Sequence, residues 1–290
     1  MTLAARPARR RSQRGLDDRL FPGATAVSYV VAILLALACV IPLLYMISLA
    51  FQSDAEVQGG TAVLLPSTWQ WGNIARVFDA APFGRFLLNS LIVAGLITIS
   101  HLVFDPMVGY VFAKFDFPLK GAIFTAILAT MMISFFVRML PLYVMFSNAG
   151  WLNSYQGLVV PFLMDAFGIF LMRQYMISVP NELGEAARVD GASEWRIYWN
   201  IVLPQTKPAL AVLGLFSFVF QMNEFIWPLI ATSTEQMRVI TIALPLFNKE
   251  SFTQWNLTAM ASLLLFVPIC ALFLFTQKYV VRGIAMSGIK

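Results

Sequence analysis

Charge is what this chain has least of. Asp, Glu, Lys and Arg make up 12% of its 290 residues, while 59% are hydrophobic. A soluble domain carries about 25% charged residues. That balance excludes a water-soluble globular protein and leaves a polytopic membrane protein, with no soluble core beyond its loops. Cysteine is scarce too. Cys39 and Cys270 both lie inside apolar runs, so they read as packing residues and not as a disulfide or metal pair. No G-x-x-x-x-G-K-[ST] phosphate loop occurs, which removes nucleotide hydrolysis from this chain. There is no internal repeat, and no low-complexity stretch beyond an arginine-rich start. The net charge is +5, but the basic residues sit at the ends of apolar runs and not in one patch, so nucleic acid is not a partner. A removable signal peptide is excluded as well. The first apolar run is too long, and it continues straight through Leu37-Ala38-Cys39, which is only superficially like a lipoprotein cleavage site.

What is present is six apolar runs. They cover about 24–51, 86–112, 122–146, 158–176, 209–230 and 257–280. Each is long enough to cross a hydrocarbon layer that about 20 helical residues span. The expected fold is all-α and integral to the membrane, with six transmembrane helices. Pro42 is placed to kink the first. Residues 1–22 form a basic tail suited to anionic lipid heads, 23–284 the transmembrane domain, and 285–290 a short tail. With the N-terminus in the cytoplasm, fifteen Lys and Arg fall on the inner side against four outside: Arg76, Arg85, Arg238 and Lys249. Arg138 lies within the third run. The bias places both termini, and the segment 178–208, in the cytoplasm.

That segment carries most of the charge between two long apolar runs. It reads as a helix, a sharp turn at Gly191 and a second helix ending at Pro204. Pro180 suits a first helical turn, where its missing N–H costs nothing. Gly191 takes a positive φ at little steric cost, and Ser193 is a plausible N-cap. Trp195, Tyr198, Trp199 and Val202 then fall at helical spacing on one face.

Here the residues resemble a known family. Glu185-Ala186-Ala187, three residues, Gly191, nine residues, then Ile201-Val202-Leu203-Pro204 is similar to the "EAA" loop of bacterial ABC-importer permeases. The resemblance extends to G-Y-V-F-A-K-F-D-F-P at 109–118, M-N-E-F-I-W-P-L at 222–229 and Q-K-Y-V-V-R-G at 277–283. It covers the chain from about residue 24 and points to carbohydrate importers of the maltose type, in particular to the smaller, six-span permease of the pair. It implies a cytoplasmic coupling hairpin whose working residues are Glu185, Ala186, Ala187, Asp190, Gly191, Ile201, Leu203 and Pro204. It also implies a second permease chain completing a heterodimeric pore, two ATPase subunits that hold the ATP and Mg, and an extracytoplasmic binding protein that delivers an oligosaccharide. The loop 232–256 is expected to reach toward that binding protein, and 285–290 toward the ATPases. The chain itself is expected to be a non-catalytic permease with no cofactor.

Charged and polar residues inside apolar runs are the remaining candidates, since a charge at a helix centre costs about 2.5–3.5 kcal/mol on insertion scales. Asn223 and Glu224 have two readings, a translocation path that bonds sugar hydroxyls or a buried hydrogen bond between helices. Trp227 shares their motif and is a path candidate, whereas Phe216, Phe218, Phe220 and Phe225 fit lipid or helix contact. His101 and Asp105 share a helix face and are spaced to bond each other. Arg138 is placed either to pair with Asp105 or Asp165, or to line the path with Asp105 and attract an acidic substrate, a uronic-acid oligosaccharide or a glycerophosphodiester. Two rivals remain: an ion-coupled secondary transporter using His101 and Asp105 as a proton relay, and a membrane scaffold or sensor that does not transport.

Overall fold

The computed structural model describes residues 22–59, 64–247 and 253–287. The basic tail up to residue 21, Lys249 and 288–290 lie outside them. The first helix, α1 (Pro22–Ala50), contains Pro42 without interruption and leads to the short α2 (Asp54–Gln58) and α3 (Gly72–Ala80). Then come α4 (Phe83–Lys114), α5 (Lys120–Thr130), α6 (Phe135–Asn148), α7 (Tyr155–Val159) with a 3₁₀ turn at Val160–Phe162, and α8 (Ala166–Ile177). The hairpin region holds α9 (Asn181–Val189), α10 (Glu194–Ile197), a π turn at Tyr198–Val202 and α11 (Leu203–Gln205). Last are α12 (Lys207–Asn223), α13 (Ile226–Ala231), α14 (Ile240–Ala243) and α15 (Trp255–Ser287). The expected C-terminal tail therefore begins as helix.

Three of these are long and apolar enough to cross a membrane singly, within Val27–Ala50, Phe83–Lys114 and Trp255–Tyr279. Three bent pairs bring the total to six. The third apolar run is not one straight helix: α5 and α6 meet at 94°. The fourth bends by 43° between Phe162 and Ala166, and α12 leaves the hairpin at 79°. Such breaks persist in a membrane only where other protein groups satisfy the freed backbone.

α4 is the hub. It packs on α8 and α12, α12 packs on α15, and α15 on α1. Its seam with α8 depends on two glycines. A Cβ on Gly109 would lie 3.0 Å from Arg173 N and Met172 Cβ, and one on Gly168 would lie 2.0 Å from Asp105 Oδ2. α1 is buried only near its last residues; Val27 to Leu44 stay open on all sides, Leu35 at 63%. An apolar surface of that extent requires lipid or another chain.

Candidate functional site

The hairpin is built as expected at its turn. Gly191 sits at φ +82. Ala192 N donates to Ala187 O at 2.9 Å and Gly191 N to Arg188 O at 3.0 Å, the paired bonds of a Schellman C-cap, which needs a left-handed residue at this point. Ser193 caps the second arm, its Oγ accepting from Arg196 N at 3.4 Å. Pro180 is the capping residue just before the first turn and not part of it.

Two details of the second arm depart from the sequence reading. The π turn at 198–202 widens the helix and rotates its faces. Ile197, Tyr198 and Val202 are buried, while Trp195 and Trp199 point outward, at 59% and 47% exposed. The four residues therefore do not share one face. Nor does Pro204 end the helix. It lies inside α11, and the chain bends only at Thr206. A proline ring clashes with the carbonyl four residues back in a regular helix, and the wider π turn just before it relieves that clash.

A charged clasp, which the sequence reading missed, holds the two arms together. Arg188 Nε donates to Glu194 Oε1 at 2.6 Å, and Nη2 to Oε2 at 3.3 Å. Tyr110 on α4 adds a third bond, its hydroxyl donating to Glu194 Oε2 at 3.1 Å. The Arg188 hydrogen bond holds the Glu194 carboxyl below the usual glutamate range, and the same bond pushes the guanidinium up. Lys114 Nζ reaches Val179 O and Asn181 Oδ1, fastening the start of α9 to the end of α4. The stretch 109–118 thus acquires a physical meaning: Gly109 lets α8 close in, while Tyr110 and Lys114 reach the hairpin. Matching charges flanking Gly191 were the signal available for Arg188 and Glu194.

The outward side of the hairpin is open, while Ala187, Ile201 and Leu203 rest against the core beneath it. Glu185, Ala186, Asp190 and Gly191 are exposed, and Ala187, Ile201, Leu203 and Pro204 half-buried. Val189 is 88% exposed and Leu183 43%.

The membrane candidates divide. Glu224 interrupts the fifth span and caps α13, its Oε1 accepting from Trp227 N at 3.1 Å and its backbone O from Thr241 Oγ1 at 2.7 Å. Asn223 remains exposed at the end of α12 and donates to Val219 O at 2.7 Å. Trp227 is fully buried. Its Nε1 donates to Gly157 O at 2.9 Å, and Phe135, Phe146 and Phe162 meet its ring edge-on. In this conformation it is core and offers no face to a path. Asp105 is also fully buried, so it does not line a path beside Arg138. Its Oδ1 accepts from Asp165 N at 3.1 Å, while Asp165 Oδ2 accepts from Gly168 N at 3.2 Å. Both acids serve the N-terminus of α8, where the helix dipole favours negative charge. Asp105 Oδ2 has no hydrogen-bond partner among the described residues.

The expected His101–Asp105 bond does not form, and Arg138 pairs with neither Asp105 nor Asp165. Both acids point into the α4–α8 seam, and Arg138 is exposed on α6 with no ion pair among the described residues. His101 bridges elements instead: Nε2 lies 2.7 Å from Phe162 O and Nδ1 2.9 Å from Ser217 Oγ. Ser100 Oγ, one residue away, donates to Leu163 O at 2.8 Å. Together with Asp105, these α4 side chains satisfy the backbone opened between α7 and α8.

Residues 106–286 match the family described as binding-protein-dependent transport system inner membrane component. The chain belongs to that family. It is a multi-pass inner-membrane permease of the ABC-importer type. Among its relatives is the sn-glycerol-3-phosphate transport system permease protein UgpE of Yersinia enterocolitica, 34% identical over 95% of this chain and 98% of that protein. The arabinooligosaccharides transport system permease protein AraQ of Halalkalibacterium halodurans is 31% identical over 88% of this chain and 93% of its own length. In fold, the permease resembles a chain of a bacterial ABC transporter involved in the import of the acidic polysaccharide alginate, with a TM-score of 0.76 at 24% identity, covering 95% of this chain and all of that one. A second alginate transporter structure, in complex with an alginate pentasaccharide-bound periplasmic protein, matches with a TM-score of 0.63 at 19% identity.

Proposed function

We propose that this permease forms one half of a heterodimeric pore that imports an oligosaccharide handed over by an extracytoplasmic binding protein. Two separate ATPase subunits hold ATP and Mg and dock on the hairpin 178–208 from the cytoplasm. The observation that carries this reading is the hairpin itself: a turn closed by Schellman bonds, clasped by Arg188 and Glu194, whose outward residues Glu185, Ala186, Val189 and Asp190 are exposed. A preformed element with an open face transmits motion as a rigid body. Closure of the ATPases pushes it, and the pore opens toward the loaded binding protein. Both termini lie in the cytoplasm, as the distribution of Lys and Arg supports.

The substrate class rests on relatives and on one side chain. UgpE and AraQ name a phosphorylated polyol and a neutral oligosaccharide as cargo of related systems. Arg138 favours an anionic group. It is exposed on an apolar helix, without an ion pair among the described residues, and its planar fork suits a carboxylate or phosphate. The favoured cargo is therefore an acidic oligosaccharide. A glycerophosphodiester is the second reading, carried by the same arginine.

The test is ATPase activity of the reconstituted complex with binding protein, against a neutral arabino-oligosaccharide, a uronate oligosaccharide and a glycerophosphodiester, with Arg138→Met alongside. Stimulation by one acidic ligand, lost in the assembled variant, supports the anionic reading and names the cargo. Stimulation by the neutral sugar with a normal variant makes Arg138 a structural charge. No ligand-dependent ATPase activity at all removes the importer reading.

A further inference from the structure

His101 is the point where three spans meet. It projects from α4 and contacts the carbonyl of Phe162, at the break in the fourth span, and the hydroxyl of Ser217 on α12. Partner chemistry sets the proton positions. A carbonyl only accepts, so Nε2 carries the hydrogen. In the neutral ring, Nδ1 then accepts from the Ser217 hydroxyl. The result is a directional chain from Ser217 through His101 to Phe162, with every member buried or half-buried. α12 begins at Lys207, directly after the hairpin. Ser217 lies ten residues along it, a rise of about 15 Å. A hydroxyl 7% exposed and an imidazole 6% exposed lie largely out of reach of solvent, so separating them leaves unsatisfied polar groups.

We propose that His101 is a positioning residue for transport: it ties the displacement of α12 to the broken fourth span, so that hairpin motion and rearrangement of the break occur together. The tie rests on the hairpin reading above. Hairpin motion enters α12 at Lys207, is carried along that helix as a rigid rod, and reaches the Phe162–Asp165 break through one imidazole. Without it, α12 moves and the break does not follow. ATP hydrolysis then continues while transport fails.

The experiment uses the full reconstituted complex and measures substrate transported per ATP hydrolysed, with assembly checked by co-purification and by unfolding temperature. Ser217→Ala and His101→Ala should each lower that ratio about three- to tenfold, the scale of one buried hydrogen bond. The double variant should be no worse than the worse single, because both break the same chain. His101→Gln, which keeps a donor and an acceptor, should recover part of the ratio. Ser217→Ala is the mild variant and keeps the test alive if His101→Ala does not assemble. An unchanged ratio in assembled Ser217→Ala overturns the tie. So do additive losses that track a falling unfolding temperature without rescue by His101→Gln, which mark a merely structural contact. Failure of the wild-type complex to couple ATP to transport would instead count against the importer reading.

Discussion

The two ends of the helical bundle each carry an exposed ion pair, but only one of them adds a set of buried asparagine bonds. At the end away from the hairpin, asparagines tie loops to backbone. Asn73 Nδ2 donates to Ala50 O and Gln52 O, both at 3.0 Å, and Asn256 Nδ2 to Gln52 O at 3.1 Å and Asp54 Oδ1 at 2.7 Å. Asn89 Nδ2 donates to Gln236 O and Arg238 O, both at 2.8 Å. Asn73, Asn89 and Asn256 are each no more than 2% exposed. The hairpin end relies on the Arg188–Glu194 pair, whose side chains are 43% and 41% exposed, and on Tyr110 and Lys114 reaching across from α4. Buried asparagine bonds hold parts in one place, because breaking them strands polar groups; the exposed Arg76–Asp54 pair at this end, at 2.9 Å and 40% and 44% exposed, adds little to them. An exposed ion pair contributes about 0–1 kcal/mol and is easily exchanged with water. On the proposed reading the far end is a frame and the hairpin a lever, its arms clasped by Arg188 and Glu194 and mounted on α4 through Tyr110 and Lys114.

Four changes break or sharpen that contrast. Gly191→Val should act most strongly. A β-branched residue at φ +82 costs about 1–3 kcal/mol of strain, and the two arms lose their angle. Transport per ATP should fall about tenfold or more in complexes that still assemble; an unchanged ratio would show that the hairpin angle is irrelevant. Asn256→Ala should do the reverse. It removes three bonds from the frame, two donated by Nδ2 and one accepted by Oδ1 from Leu257 N, and should destabilise the chain by about 1–3 kcal/mol, seen as a lower unfolding temperature, with coupling intact. Glu194→Gln keeps the shape and removes the charge. Its cost should be about 0–1 kcal/mol, visible as faster amide exchange in 181–197 and not as a global shift.

The smallest effect concerns acid. Glu56 caps α2 and accepts from Ser53 and Ser67, and these bonds, Ser67's side chain foremost, lower its pKa from 4.5 to about 2. A carboxyl whose folded pKa is depressed contributes stability that is full above the unfolded value and lost as pH falls through the folded one. Protection of 53–58, which Glu56 caps, should therefore decline from about pH 4.5 toward pH 2. The hairpin clasp has the same sign, since Glu194 is also lowered. Ser67→Ala should shift the Glu56 loss to higher pH, and a loop insensitive to that change would contradict the assignment.

Composition and hydropathy made the six spans legible, because long apolar runs need no tertiary information. The Gly191 turn was legible for a similar reason: one residue type meets one backbone requirement. The breaks were not. Met131 to Ser134, between α5 and α6, contains neither Pro nor Gly, so nothing local announces a 94° bend. The break after Phe162 is held by His101, 61 residues earlier in the chain. Pro161 and Asp165 mark it only once the groups that receive them are known. The burial of Trp227 and Asp105 was not legible for the same reason: a polar or aromatic residue in a span looks identical in sequence whether it lines a path or fills a core. Tyr198 turns inward against Tyr110, at 5.1 Å between ring centroids, while Trp195 and Trp199 stay exposed, and no periodicity encodes that.

The most direct test of the lever is a photo-crosslinker on Val189→Cys, with Cys39 and Cys270 replaced by serine, in the assembled complex. Val189 is among the most exposed apolar residues and sits two positions before Gly191. The predicted product is a covalent adduct with an ATPase subunit whose yield changes between nucleotide-free and ATP-bound states. An adduct with the extracytoplasmic binding protein, or one with lipid alone in both states, would contradict the account.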